Sequence, residues 1–484
     1  MGSAWRACTL WLRLAKREGV TSVRVFLGLL MLCLSIGAHA GEHAPASHAE
    51  QVFGLWLAAF NAGDRDGLQA FVADHKGGRD AQRDLDLREA MGRFRLLGIK
   101  SSSTHSMQAM LLSESTDRGV LASLEVDPGN PADIARFQLE GMELPVEFQP
   151  RRLPLPVLLA ESRQRLDSAR DDDTLSGALL VAKDGKILLR WQGGQADRER
   201  KIVVDGATRF RLASLNKMFT AVAILQLQEA GRLSLDDSVA THLPDYPDQA
   251  VAGKVTVRQL LNHTSGLGDI FGEEFERRSQ SLRTLRDYWS LAGSEPSSVA
   301  PGSEDGYSNY GYILLGSIIE AVSGQSYYDY VDEHVYRVAG MDSTGAEPES
   351  SAVPGRAVAY TRVEGRWVPE TRTLPWRGTS AGGGYSTVGD MLKFAEALRG
   401  GRLVSPASLA TATSPQNHKG WYGHGFMVSG EGQARQYGHE GGAPGANAAL
   451  AVLPGPGYVV VGLGNVDPGV MENMVNFIVH RLPL

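Results

Sequence analysis

The chain has 484 residues, enough for two or three domains rather than one. Apolar residues make up 43% and charged residues 21%, the balance of a globular protein with a sizeable core. The net charge of −7, with no stripe of lysine and arginine, argues against nucleic acid as a partner, and the twelve histidines form no H-x-H-x-D-H or H-E-x-x-H cluster that would hold a metal.

Five basic residues, Arg6, Arg13, Lys16, Arg17 and Arg24, precede the apolar run Val25–Ile36, and Ala38 and Ala40 follow with A-x-A spacing. A run this short suits a secretory signal better than a membrane-spanning helix, so residues 1–40 are expected to be a signal peptide. The basic segment is long for that role, and a start near Val20 would also serve; an uncleaved anchor is the less favoured alternative. Cys33 follows Leu30-Met31-Leu32, which lacks the small residue of a lipoprotein signal. Cleavage after Ala40 removes five basic residues and one acidic one, bringing the charge to −11, and takes both cysteines with it. The expectation is an exported protein, periplasmic or secreted, without stable membrane insertion, and neither a cysteine enzyme nor a disulfide scaffold.

Residues 45–147 read as a small α+β domain. "AEQVFGLWLAAFNAGDRDGLQAFV" predicts two helices around an Asn61-Ala62-Gly63-Asp64 turn, and "MQAMLLSES" and "GVLASLEVD" alternate like strands. The helix pair faintly resembles the NTF2-like fold. Phe148–Pro156 carries three prolines and reads as an extended linker. Residues 157–484 are expected to form one large domain. It opens with two strands around a Lys183-Asp184-Gly185-Lys186 hairpin, continues with a helix from Ser214 to Gly231, and closes with another hairpin in "ANAALAVLPGPGYVVVGLGNV". Strands at both ends and helices between predict a mostly antiparallel sheet, assembled from both ends and covered by helices.

The helix from Ser214 is apolar on every face, so Lys217 within it either snorkels to solvent or is buried, and burial lowers a lysine pKa. Ser214 lies one turn before Lys217 on the same face, at the helix N-terminus. A serine is a weak nucleophile until a base takes its proton, and a desolvated lysine is such a base; helix capping by Ser214 is the simpler alternative. Tyr307-Ser308-Asn309 stands just before a second apolar helix, Tyr310 to Val322, so Tyr307 and Asn309 can face one cleft from the loop. His439-Glu440-Gly441-Gly442 precedes a strand starting near Ala446, and a backbone N–H there would pair with that of Ser214 as an oxyanion hole. A glycine-rich turn is the alternative.

S-L-N-K, Y-S-N and H-E-G in this order resemble the three motifs of the penicillin-recognising serine hydrolases, in the branch of class C β-lactamases, D,D-peptidases, D-aminopeptidases and family VIII esterases. "LLNHTSGL" and "SAGGGYSTVGDMLKFAEAL" are similar to further segments of that branch, and the resemblance covers residues 153 to 484. It implies an α/β (α+β) serine β-lactamase/D,D-peptidase-like fold and an acyl-enzyme on Ser214, with no metal and no cofactor. Lys217 is then the proton acceptor or the group that tunes Tyr307, Tyr307 the general base and acid, and Asn309 its hydrogen-bonding partner. Gly442 supplies the second oxyanion N–H beside Gly441, and His439 stands where many members have the lysine of a K-T-G triad. His263 and Ser265 are expected to be structural. Histidine is mostly neutral at pH 7, so the departure favours substrates without an essential carboxylate: small esters, or D-amino-acid amides and peptides. A class C-like β-lactamase or D,D-carboxypeptidase is the alternative, and a non-catalytic penicillin-binding or cell-wall sensor protein a further one. Gly378-Thr379-Ser380-Ala381-Gly382 matches G-x-S-x-G, but Pro375 interrupts the strand a nucleophile elbow needs, so it reads as a glycine loop beside the cleft.

Overall fold

The computed structural model describes residues 47–484 apart from 78–79, 292–298 and 372–373. The signal-peptide reading lies outside the described residues.

A small α+β domain comes first. Ser47 and Glu50 close a reciprocal capping box on α1 (His48–Ala62). Gly63, at φ 72°, ends that helix, and Asp64 caps α2 (Arg65–Asp74), so the expected turn is where the glycine allows it. After α3 (Ala81–Met91), four strands run in simple order as an antiparallel sheet: β1 (Phe94–Ser102), β2 (Ser106–Ser113), β3 (Gly119–Val126) and β4 (Ile134–Met142). Trp56 meets Phe137 edge-on at 4.7 Å and Phe60 stacks on Phe94 at 4.8 Å, giving this sheet and its helices a core of their own.

The extended connection ends at Pro154. Leu155 and Pro156, read as linker, open α4 (Leu155–Asp171). A proline in the first helical turn forfeits no hydrogen bond, so its presence does not mark a loop there.

The large domain is built on a six-stranded antiparallel sheet. Its strands are β5 (Gly177–Lys183), β6 (Lys186–Gly193), β7 (Met427–Ser429), β8 (Gln436–Ala443), β9 (Ala446–Leu453) and β10 (Tyr458–Gly464), ordered β7-β8-β9-β10-β5-β6. β5 pairs with β10 from Gly177↔Gly464 to Lys183↔Tyr458, so the sheet is assembled from both ends of the domain. On one face α4 and α8 (Val470–Arg481) bury Leu158, Leu166, Met471 and Ile478. On the other lie α5 (Asn216–Glu229), α6 (Asn309–Ser323) and α7 (Val388–Arg399). Every residue of α5 from Asn216 to Leu225 is buried, which accounts for a helix apolar on all sides. The His439–Gly442 segment does not lead into a strand as a turn. It is itself the far half of β8, and the hairpin turns at Pro444 and Gly445. Among the described residues, no helix is long and apolar enough to cross a membrane.

Candidate active site

Ser214 sits in a single 3-10 turn, Ala213–Leu215, that feeds α5. The residue capping α5 is Leu215, with no side-chain capping bond, so the Ser214 hydroxyl is not engaged in capping. The turn is sharp. Ala213 has φ 45°, a left-handed conformation that costs a non-glycine residue on the order of 1–2 kcal/mol. The glycine loop supports it: Gly383 N–H donates to Ala213 O at 3.0 Å and Leu212 N–H to Gly384 O at 3.2 Å. The same loop docks on α5 through three successive carbonyls. Asn216 Nδ2 donates to Thr379 O at 2.6 Å, Lys217 Nζ to Ala381 O, and Thr220 Oγ1 to Ser380 O at 2.7 Å. Ser380 itself is buried in this loop, which is no nucleophile elbow.

Lys217 is completely buried. Its Nζ donates to Ser214 Oγ at 3.1 Å and to Asn309 Oδ1 at 2.7 Å, and lies 4.8 Å from the centre of the Tyr307 ring. Desolvation pushes its pKa down to about 7, against the opposing pull of the Asp269 carboxylate. Asn309 is the first residue of α6, held there by Ser308, whose Oγ accepts from Gly311 N–H at 2.9 Å. Asn309 Nδ2 in turn donates to both Asp269 oxygens, at 3.0 and 2.9 Å. Sequence reasoning missed Asp269. The available signal was an acid directly after "HTSGLG".

Tyr307 precedes α6. The residue as a whole is 39% exposed, while its phenol end, beside Ser214, is the desolvated part. Burial raises its pKa well above the ordinary value, so the tyrosine is a neutral phenol at pH 7. His263, buried with φ 61°, packs against the Tyr307 ring at 4.2 Å and accepts Ser308 N–H on Nδ1 at 3.2 Å, so its structural part is played next to the tyrosine. Ser265 accepts Leu267 N–H at 3.3 Å.

The third motif lies along β8. Gly441 is forced by proximity: a Cβ there would stand 2.5 Å from Leu212 O and 3.0 Å from Ser214 N. Gly442, the next residue, is exposed. His439 is buried, with Nε2 2.8 Å from the Tyr422 hydroxyl and Nδ1 2.5 Å from Glu440 O. Both ring nitrogens are thus engaged within the protein, and burial, then the nearby Lys217, push its pKa down to about 3. It is neutral across the physiological range. Tyr422, also unforeseen, is wholly buried between His439 and His263. Among the described residues no group of three or more histidines, cysteines or acids could hold a metal ion.

These elements place Ser214, Lys217, Tyr307 and Asn309 within one another's reach, with β8 passing the Ser214 amide. The Beta-lactamase family profile matches residues 163–482. Penicillin-binding protein 4* of Bacillus subtilis (strain 168) is 33% identical over 295 residues, which cover 57% of this chain and 64% of that relative's length. Among solved structures, a penicillin binding protein from Bacillus halodurans is similar with a TM-score of 0.59 at 34% identity, covering 64% of this chain and 98% of its own. D-amino acid amidase from Ochrobactrum anthropi SV3 follows with a TM-score of 0.57 at 27% identity, covering 67% and 97%. With two thirds of its length matched by the family profile, the chain belongs to the beta-lactamase family.

Proposed function

We propose that the protein is an exported serine hydrolase that forms an acyl-enzyme on Ser214, acting on small esters or on amides and peptides of D-amino acids. The observation that carries this is the Lys217 amine, fully buried, 3.1 Å from Ser214 Oγ, with its pKa drawn down to about 7. About half of such a lysine is neutral at pH 7 and able to accept a proton. Neutral Lys217 takes the Ser214 proton as Oγ bonds to the substrate carbonyl carbon. The oxyanion forms against the N–H groups of Ser214 and Gly442. The tetrahedral adduct then expels the alcohol or amine, which receives its proton from the Tyr307 phenol, itself recharged from Lys217. Water repeats the sequence to release the acid. Tyr307 therefore serves as a proton relay in its neutral form, and Asn309, anchored by Asp269, aims Lys217.

The substrate reading is supported by the absence of a fixed cation at position 439. A neutral His439 with both nitrogens engaged offers no charge to a substrate carboxylate; it braces Tyr422 and β8 instead. Asp269 is an exposed residue linked to Ser214 through Asn309 and Lys217, and its charge suits an α-ammonium group and so a D-amino-acid amide, the class named for the Ochrobactrum amidase. The penicillin-binding relatives favour a second reading, acylation by β-lactams with slow release. Fluorophosphonate or fluorescent-penicillin labelling, with mass spectrometry of the Ser214 peptide, tests the acyl-enzyme. A panel of p-nitrophenyl esters, D-aminoacyl nitroanilides and nitrocefin then separates turnover from trapping. Absence of label at Ser214 refutes the proposal.

A further inference from the structure

The N-terminal domain meets the large one at Glu140, which pairs with Lys419, and at the turn between β2 and β3, where two consecutive residues of opposite charge find opposite partners. Asp117 accepts from Arg481 Nη1 at 2.5 Å, on the last turn of α8. Arg118 Nη2 donates to Glu440 Oε1. Both pairs are half-shielded, with side-chain exposures of 21% and 17% in the first and 37% and 28% in the second. A slip of one residue would set Asp117 against Glu440, so the charges fix the register of docking as well as its existence.

The partner of Arg118 is not an arbitrary surface acid. Glu440 lies in β8 between His439 and Gly441, two residues before Gly442. Strand alternation turns His439 and Gly441 toward Ser214, and Glu440 and Gly442 toward the opposite face. There Asn476 Nδ2, from α8, donates to the same Glu440 Oε1 at 3.0 Å, and the site of a Gly442 Cβ lies 3.4 Å from Glu472 Oε1. Burial, then Glu440, push the Glu472 carboxyl up to about 7, while Arg118 draws it down. Two acids are thus stacked behind the strand that carries the oxyanion donor, and the guanidinium that offsets them comes from the other domain. Hydrolysis itself uses none of these groups.

We propose that Arg118 is a positioning residue: the N-terminal domain holds Glu440 from behind and so fixes the height of the Gly442 N–H opposite Ser214. This rests on the reading of β8 as the oxyanion strand. The N-terminal domain is then part of the catalytic unit.

The test uses the full chain with Arg118→Met, Glu440→Gln and the double variant. Three quantities are read: the rate of Ser214 acylation by a fluorophosphonate probe, kcat and KM on a turned-over ester, and the melting temperature. An oxyanion donor acts on the transition state, so Arg118→Met should slow acylation and kcat about fivefold with KM within about twofold. The double variant should be no slower than Glu440→Gln, because Arg118 acts only through that carboxylate. Arg118→Met with wild-type acylation and only a lower melting temperature would show a docking contact and overturn the proposal; so would additive losses in the double variant. Where Arg118→Met does not fold, Arg118→Lys keeps the charge but not the fork. An intermediate rate there supports the proposal and a wild-type rate overturns it. Failure of the underlying reading shows separately, as wild-type protein that the probe never labels at Ser214.

Discussion

The lowered pKa of Lys217 sets how the rate of acylation must depend on pH. With a pKa of about 7, the neutral fraction of Lys217 is roughly one tenth at pH 6, one half at pH 7 and nine tenths at pH 8. Single-turnover acylation should therefore rise about tenfold from pH 6 to pH 8 and level off above that. An unperturbed lysine would still be gaining about tenfold per unit at pH 9. Asp269 raises the Lys217 pKa, so Asp269→Asn should move the inflection to lower pH. The assay is the burst of p-nitrophenol from an ester at constant ionic strength, with the plateau rate recorded at each pH. The unfolded chain keeps, up to its ordinary pKa of 10.5, a proton that the folded one sheds near 7. Stability should accordingly rise with pH across that interval, by at most about 1.4 kcal/mol per unit from this group, and lose that rise in Lys217→Met. Acylation that keeps climbing steeply beyond pH 9, or that falls as pH rises, would refute Lys217 as the base.

Ser214→Ala should abolish turnover and leave the melting temperature within about a degree of wild type, since the hydroxyl caps no helix. Calorimetry together with the ester assay checks both halves. Tyr307→Phe keeps the ring against His263 and removes the relay, so kcat should drop by roughly 10²–10⁴ with little change in KM; a drop under about twofold would leave Tyr307 a packing residue. Gly441→Ala sets a methyl 2.5 Å from Leu212 O and 3.0 Å from Ser214 N, backbone atoms that cannot rotate away. The displaced oxyanion site should cost on the order of 10²-fold in kcat, measured against a circular dichroism spectrum that shows the sheet intact.

Much of this site was legible because its chemistry is local in sequence. Lys217 one turn after Ser214, in a helix without a polar face, already pointed to a buried amine beside a hydroxyl. The split of Tyr307 and Asn309 around the helix-capping Ser308 was equally readable, since capping fixes where a helix starts. What escaped depends on long-range packing. Asp269 matters only because Asn309, forty residues on, turns its amide to it. The engagement of His439 needed Tyr422, which no spacing rule connects to it. His439–Gly442 reads in sequence as lying ahead of a strand starting near Ala446, because three residues of "HEGGAPG" are glycine, yet it is strand itself, and Gly441 is glycine to let that strand lie against the Ser214 turn. The end of the linker went the same way, because a proline is compatible both with an extended chain and with a first helical turn.

The pairing of β5 with β10 has a consequence for synthesis. Ala178–Ala182 are all buried, so β5 is an apolar strand that needs cover on both faces and a neighbour on both edges. β6 follows it at once, but β10 is the last strand of the chain. At about 5–20 residues per second the ribosome needs roughly a quarter of a minute to a minute to deliver it. Through that interval the large domain carries an open, sticky edge, a template for wrong partners. The first domain, whose four strands each pair with the next, can close long before. A stop codon just ahead of Tyr458 would therefore yield no smaller enzyme but a folded N-terminal domain tethered to an aggregating remainder, a pattern that limited proteolysis of the truncated product would display.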